Sequence, residues 1–131
     1  MKKSWDLAEP ERVTIHGGDV ALAANFYRPA LGRAGRVPGV LICHGLGSRK
    51  ENHADFARLL QSRGFAALTF DLRGHGHSGG RLDAGLAEDP VIALQYLASR
   101  PEVDPSRLAL RGSSLGGQLA IHAAAASELA A

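Results

Sequence analysis

Three short stretches of the chain hold residue types that could do chemistry. Gly112-Ser113-Ser114-Leu115-Gly116 has the spacing G-x-S-x-G, with an apolar run before it and a helix-forming segment after it. A strand that reverses into a helix within so few residues needs small neighbours, here Gly112 and Gly116, and its sharp turn holds the central serine away from both elements. Ser114 Oγ is therefore expected to stand exposed as a nucleophile toward a carbonyl carbon. The start of the following helix would add unpaired N–H groups and a partial positive charge, so the Leu115 N–H is the expected donor to the oxygen that becomes negative. His44-Gly45-Leu46-Gly47 is the second stretch, and its glycines let the backbone come close to a substrate and turn an N–H inward. Leu46 is the natural second donor if this loop passes beside the end of the serine's strand. His44 itself reads as a hydrogen-bonded loop histidine rather than a base.

The third stretch, Asp71-Leu72-Arg73-Gly74-His75-Gly76-His77-Ser78-Gly79, contains a formal G-x-G-x-x-G at Gly74, Gly76 and Gly79. A dinucleotide fingerprint must open a helix directly, and Gly80 to Gly85 is a further loop, so no cofactor is expected. His75 and His77 could join His44 around a metal, but no carboxylate stands at ligand spacing, and no metal is expected. The plain reading is a loop braced by Asp71 and Arg73.

These residues need elements to place them. Val13-Thr14-Ile15 and Ala21 to Tyr27 flank the turn composition His16-Gly17-Gly18-Asp19, and Leu22, Ala24 and Phe26 alternate onto one face, so an antiparallel hairpin is expected over 13–28. Gly32 to Gly39 reads as a polar loop. Val40 to Cys43, Phe65 to Phe70 and Leu108 to Leu110 are continuous apolar runs of the kind found in parallel strands buried on both faces. Between them, Phe56, Leu59 and Leu60 predict a helix over Glu51 to Arg63 that Gly64 ends. Asp89 and Pro90 open a second helix, with Asp89 as its cap and Val91, Leu94, Leu97 and Ala98 as its buried stripe. Pro101 to Pro105 ends it, and Leu115 onward forms a third. The fold class is α/β: a mainly parallel sheet with helices on both faces, a hairpin over 13–28 and strand-helix units over 39–131.

Composition narrows the partners. The 131 residues are 45% apolar and 21% charged, which is the balance of one globular domain. The net charge of +2 comes from 15 basic and 13 acidic residues without a basic stripe, so no nucleic-acid partner is expected. No run approaches the roughly 18 apolar residues of a membrane span. Ser4, Trp5 and Asp6 stand where a signal peptide needs an apolar run, and the single cysteine, Cys43, reads as inert core; the expected location is cytoplasmic.

The three motifs in this order resemble the α/β-hydrolase superfamily, and within it the serine aminopeptidase S33, monoglyceride-lipase-like and dienelactone-hydrolase-like esterase branches. The resemblance covers essentially the whole chain. It implies a three-layer αβα fold and a serine hydrolase of ester, amide or peptide bonds, in which Ser114 attacks, Leu46 and Leu115 donate to the oxyanion, and water releases the acyl group. In such enzymes an acid and then a histidine follow the serine. Here His122 precedes Glu128, and eight helical positions set His122 roughly 12 Å from Ser114. The chain thus resembles the N-terminal half of such an enzyme, lacking the triad acid and histidine, with the serine's strand at a sheet edge. Two readings follow: a truncated serine hydrolase of little activity by itself, and a non-catalytic half-domain that binds a partner chain, or itself, through that edge.

Overall fold

The computed structural model describes residues 7–30 and 35–127; Gly32 to Ala34 of the expected loop and Glu128 lie outside the described residues. Strands β1 (Glu11–Gly17) and β2 (Val20–Tyr27) form the expected hairpin, paired from Glu11 opposite Phe26 to Gly17 opposite Val20. The turn is shorter than its composition suggested, because His16 and Gly17 already pair and only Gly18 and Asp19 reverse the chain. Strands β3 (Val37–Cys43), β4 (Ala66–Phe70) and β5 (Val103–Gly112) complete a five-stranded sheet in the order β1-β2-β4-β3-β5. The sheet is mixed: β4, β3 and β5 are parallel, while β2 meets both β1 and β4 antiparallel.

Helix α1 (Ala54–Ser62) covers one face, where Ala57, Phe56 and Leu60 pack on Tyr27, Ile42 and Ala67. Helices α2 (Asp89–Ser99) and α3 (Leu115–Ala126) cover the other, where Leu94, Leu97 and Leu119 join Phe26, Leu41, Leu68 and Phe70. This is the expected three-layer arrangement. Every residue of β4 is buried, as a central strand covered on both faces requires. At the edge, β5 buries Leu108 against α2 and α3, whereas Ala109 and Arg111 on the opposite face are exposed, and the Arg111 guanidinium stacks 3.8 Å from the Phe56 ring centroid.

Several boundaries differ from expectation for identifiable reasons. Both β3 and β5 begin earlier than their apolar runs, because Val37 pairs with Val103 ahead of a register shift that absorbs Pro38 and the polar residues before Leu108. Residues Lys50–His53 form a 3₁₀ turn, so α1 starts at Ala54 rather than Glu51, and Leu59 is 48% exposed instead of buried. Gly64 ends α1 as expected at φ 89°: its N–H bonds the Gln61 carbonyl at 3.2 Å and the Phe65 N–H reaches the Leu60 carbonyl at 3.0 Å. Asp89 is the first residue of α2 and caps nothing, and the helix buries Ala93, Leu94 and Leu97 with Val91 and Ala98 half-buried. Among the described residues no helix is long and apolar enough to cross a membrane.

Candidate active site

The turn from β5 into α3 confines Ser114 by sterics. Ser114 has φ 55° and ψ −125°, the only positive φ at a non-glycine residue among those described. Such a conformation costs on the order of 1–3 kcal/mol and persists only where the surroundings enforce it. They do so by close backbone contact. A Cβ on Gly112 would lie 2.2 Å from the Gly116 carbonyl oxygen, and one on Gly116 would lie 2.2 Å from the Cys43 oxygen and 2.5 Å from that of His44. Strand and helix meet this closely only because both positions lack side chains. Ser114 is exposed, and although it stands at the helix cap its hydroxyl makes no capping bond; the Gly117 and Gln118 N–H groups bond its carbonyl oxygen instead, at 2.9 and 3.2 Å. Leu115 opens α3, so its N–H is one of those a helix leaves without an intrahelical acceptor.

The sheet order brings the second motif to the first. Because β3 and β5 are parallel neighbours with Cys43 opposite Gly112, the chain leaving β3 passes directly beside the Ser114 turn. A Cβ on Gly45 would sit 3.5 Å from Ser114 Cβ and 3.2 Å from the Ser113 carbonyl oxygen. Gly45 to Ser48 then forms a turn closed by a 3.0 Å bond from the Ser48 N–H to the Gly45 oxygen, with Gly47 at φ 76°. Leu46 at its apex is 64% exposed, and among the described residues no partner takes its N–H.

The histidines near this turn are occupied. His44 is buried; its Nδ1–H donates to the Gly45 oxygen at 2.8 Å and its Nε2 accepts the Leu72 N–H at 3.0 Å. Burial pushes its imidazole below the ordinary value, partly offset by the bond to Gly45, so it stays neutral in the role expected of a loop histidine. His75 Nδ1 pairs with the Arg73 oxygen and its Nε2 accepts the Gly47 N–H, each at 3.0 Å. His77 lies 3.3 Å from the Lys50 ammonium through Nδ1, and His16 on β1 and His122 on α3 are exposed. No histidine among those described hydrogen-bonds Ser114. The Cys43 thiol is pushed up to about 12 by burial and is inert.

Two buried ion pairs replace the expected Asp71–Arg73 brace. Asp71 instead accepts the Lys50 backbone N–H and Nζ, both at 2.7 Å, and the His77 N–H at 3.0 Å. Burial pushes its carboxyl up, but these donors outweigh burial and hold it below the usual carboxylate range. Arg73 turns away to Asp89, donating from its backbone N–H at 2.8 Å, Nε at 2.9 Å and Nη2 at 2.8 Å. The sequence carries no local signal for either pair, since the partners stand 21 and 16 positions apart. Lys50, which anchors the Asp71 carboxylate, was missed for the same reason. Gly74, Gly76 and Gly79 lie in this loop, and Gly76 approaches the Asp71 carboxylate so closely that a Cβ would overlap it. The loop is thus packed on its own acid.

Comparison with known proteins agrees with this architecture. The sequence pattern of the serine aminopeptidase S33 family matches residues 37–130. Over 88 residues, 66% of this chain and 31% of the relative, it is 39% identical to an uncharacterized protein of Mycobacterium tuberculosis. The α/β hydrolase GrgF from Penicillium superposes with a TM-score of 0.85 at 26% identity, over 95% of this chain and 44% of its own. XC6422 from Xanthomonas campestris, an α/β serine hydrolase without a lid, superposes with a TM-score of 0.76 at 25% identity, over 91% of this chain and 57% of its own. The chain therefore spans about a third of that curated relative and about half of these structures. With the family pattern running from β3 through α3 and the fold shared across the superposed sheets, the chain belongs to the serine aminopeptidase S33 family of α/β hydrolases.

Proposed function

We propose that this chain carries the nucleophile of a serine hydrolase acting on carboxylic ester, amide or peptide bonds of small substrates, with Ser114 as the attacking residue at a nucleophile elbow. The observation that carries the reading is the positive φ of an exposed serine whose hydroxyl makes no capping bond. Ser114 Oγ bonds to the carbonyl carbon, and the carbonyl oxygen takes the negative charge in an oxyanion hole made of the Leu46 and Leu115 N–H groups. The leaving alcohol or amine departs with a proton, and water then releases the acyl group from Ser114. Gly112 and Gly116 act by being absent as side chains. The proton of Ser114 needs a base, and the reading assigns that base and its acid partner to the part of the relatives' length that this chain does not span. Loss of a triad histidine lowers turnover by about a millionfold, so little activity is expected of the chain alone.

The test is prolonged reaction with a fluorophosphonate followed by mass spectrometry. A single adduct on Ser114, absent from Ser114→Ala, is expected; a folded chain that stays unlabelled, or is labelled elsewhere, overturns the reading. Action in the cytoplasm belongs to the same reading, supported by the buried free thiol of Cys43, and cell fractionation checks it. A second reading rests on the edge position of β5: the chain binds a partner, or itself, by strand addition. Gel filtration decides it for self-association, since a monomer at high concentration removes it.

A further inference from the structure

The loops that follow β3 and β4 exchange histidines. His44 of the first accepts the Leu72 N–H of the second at 3.0 Å, and His75 of the second accepts the Gly47 N–H of the first, also at 3.0 Å. In each ring Nδ1 is turned to a carbonyl oxygen, that of Gly45 or Arg73, which fixes the proton on Nδ1 and leaves Nε2 as the acceptor. The rings lie 5.1 Å apart. The two bonds differ in what they hold. His44 is buried and ties down the base of its loop, whereas the Gly47 N–H to His75 is, among the described residues, the one hydrogen bond by which Gly45, Leu46 or Gly47 reaches the neighbouring loop through its backbone N–H. Leu46 has a glycine on each side; the peptide that carries its N–H is held from the Gly45 side, where the Gly45 oxygen accepts the Ser48 N–H and the His44 Nδ1–H, and on its far side the tether to His75 holds the next peptide through the Gly47 N–H.

We infer that His75 is a positioning residue for the carbonyl site: by accepting the Gly47 N–H it holds the turn that presents the Leu46 N–H beside Ser114. This rests on the hydrolase reading for what the turn is for, but not for whether His75 sets it. A donor displaced by about 1 Å loses up to a hundredfold in rate, so the tether matters to an oxyanion site far more than to overall folding.

Nitrogen NMR of the intact wild-type chain tests the bond first. His75 is expected to show a protonated Nδ1 and a bare Nε2, and the Gly47 amide to exchange slowly; a protonated Nε2 overturns the inference without any variant. In His75→Leu the Leu46 and Gly47 amide resonances should move, Gly47 exchange should quicken by about tenfold or more, and fluorophosphonate labelling of Ser114 should slow by about tenfold to a hundredfold. His75→Gln keeps an acceptor oxygen and should recover much of both effects. Unchanged Gly47 exchange in His75→Leu, or His75→Gln no better than His75→Leu, overturns the inference. A wild type never labelled at Ser114 sinks the hydrolase reading instead, and the amide measurements then decide by themselves whether His75 sets the Leu46 turn.

Discussion

The turn from β5 into α3 and the loop from β4 to α2 stand at the same end of the sheet, where β3, β4 and β5 finish, yet they are held by opposite means. The first is positioned by missing side chains: Gly112 and Gly116 let backbone pack on backbone at distances a Cβ forbids. The second is positioned by side chains in excess, with Asp71 and Asp89 wholly buried against Lys50 and Arg73. A turn that leaves Ser114 exposed at a positive φ is positioned by steric fit alone, since its hydroxyl makes no capping bond. The loop from β4 to α2 can bury charge, because its carboxylates find enough donors to replace water.

Variants can break this contrast, beginning with the turn. Gly116→Ala puts a methyl 2.2 Å from the Cys43 oxygen although Gly116 has no positive φ, so the whole effect is collision with backbone that cannot rotate away. A loss on the order of 5 kcal/mol or outright failure to fold is expected in urea unfolding; a mild loss would mean that strand and helix are free to separate. Asp89→Ala should cost slightly less, about 3–5 kcal/mol, by leaving the Arg73 guanidinium buried without its main acceptor. Replacing both Arg73 and Asp89 with leucine should restore a large part of that loss, because no lone charge remains.

Two smaller effects sharpen the comparison. Gly64→Ala at the end of α1 meets a positive φ of 89°, and a loss of about 1–2 kcal/mol by thermal unfolding would separate backbone conformation from collision. Acid should act on the loops and spare the turn, which has no titratable group. Burial holds the His44 imidazole below 6.5, and burial together with Arg111 does the same for His53. The unfolded chain therefore binds these protons first, and stability complete above about pH 6.5 declines as pH falls below it. Asp71, held below 3.8, adds a second decline as pH drops through that value. Urea midpoints measured in steps of pH should show both phases, with His44→Gln shrinking the upper one and leaving the His53 part.

The strained turn at Ser114 was more legible than the elements that support it. Gly112, Ser114 and Gly116 announce themselves because a strand-to-helix reversal makes its demands within five residues, and Gly64 does so because a helix end needs one residue of positive φ. Asp89 misled for an instructive reason. An acid followed by proline is the local signature of a helix cap, but Arg73 offers that carboxylate a guanidinium and an N–H from sixteen residues away, and these stronger partners win. The early starts of β3 and β5 were hidden similarly, since proline and polar residues read as loop unless a neighbouring strand is already there to pair with.

Local composition alone therefore determined the alternation of strands and helices, the strained turn at Ser114 and the glycines it needs, since these follow from backbone torsions and the volume of Cβ. Only the tertiary structure decided that the Leu46 turn lies beside Ser114, that His75 reaches Gly47, and that Lys50 meets Asp71 while Arg73 meets Asp89. Those meetings depend on β3 lying between β4 and β5, an order set by how crossovers pack their helices on the two faces of the sheet rather than by any spacing along the chain.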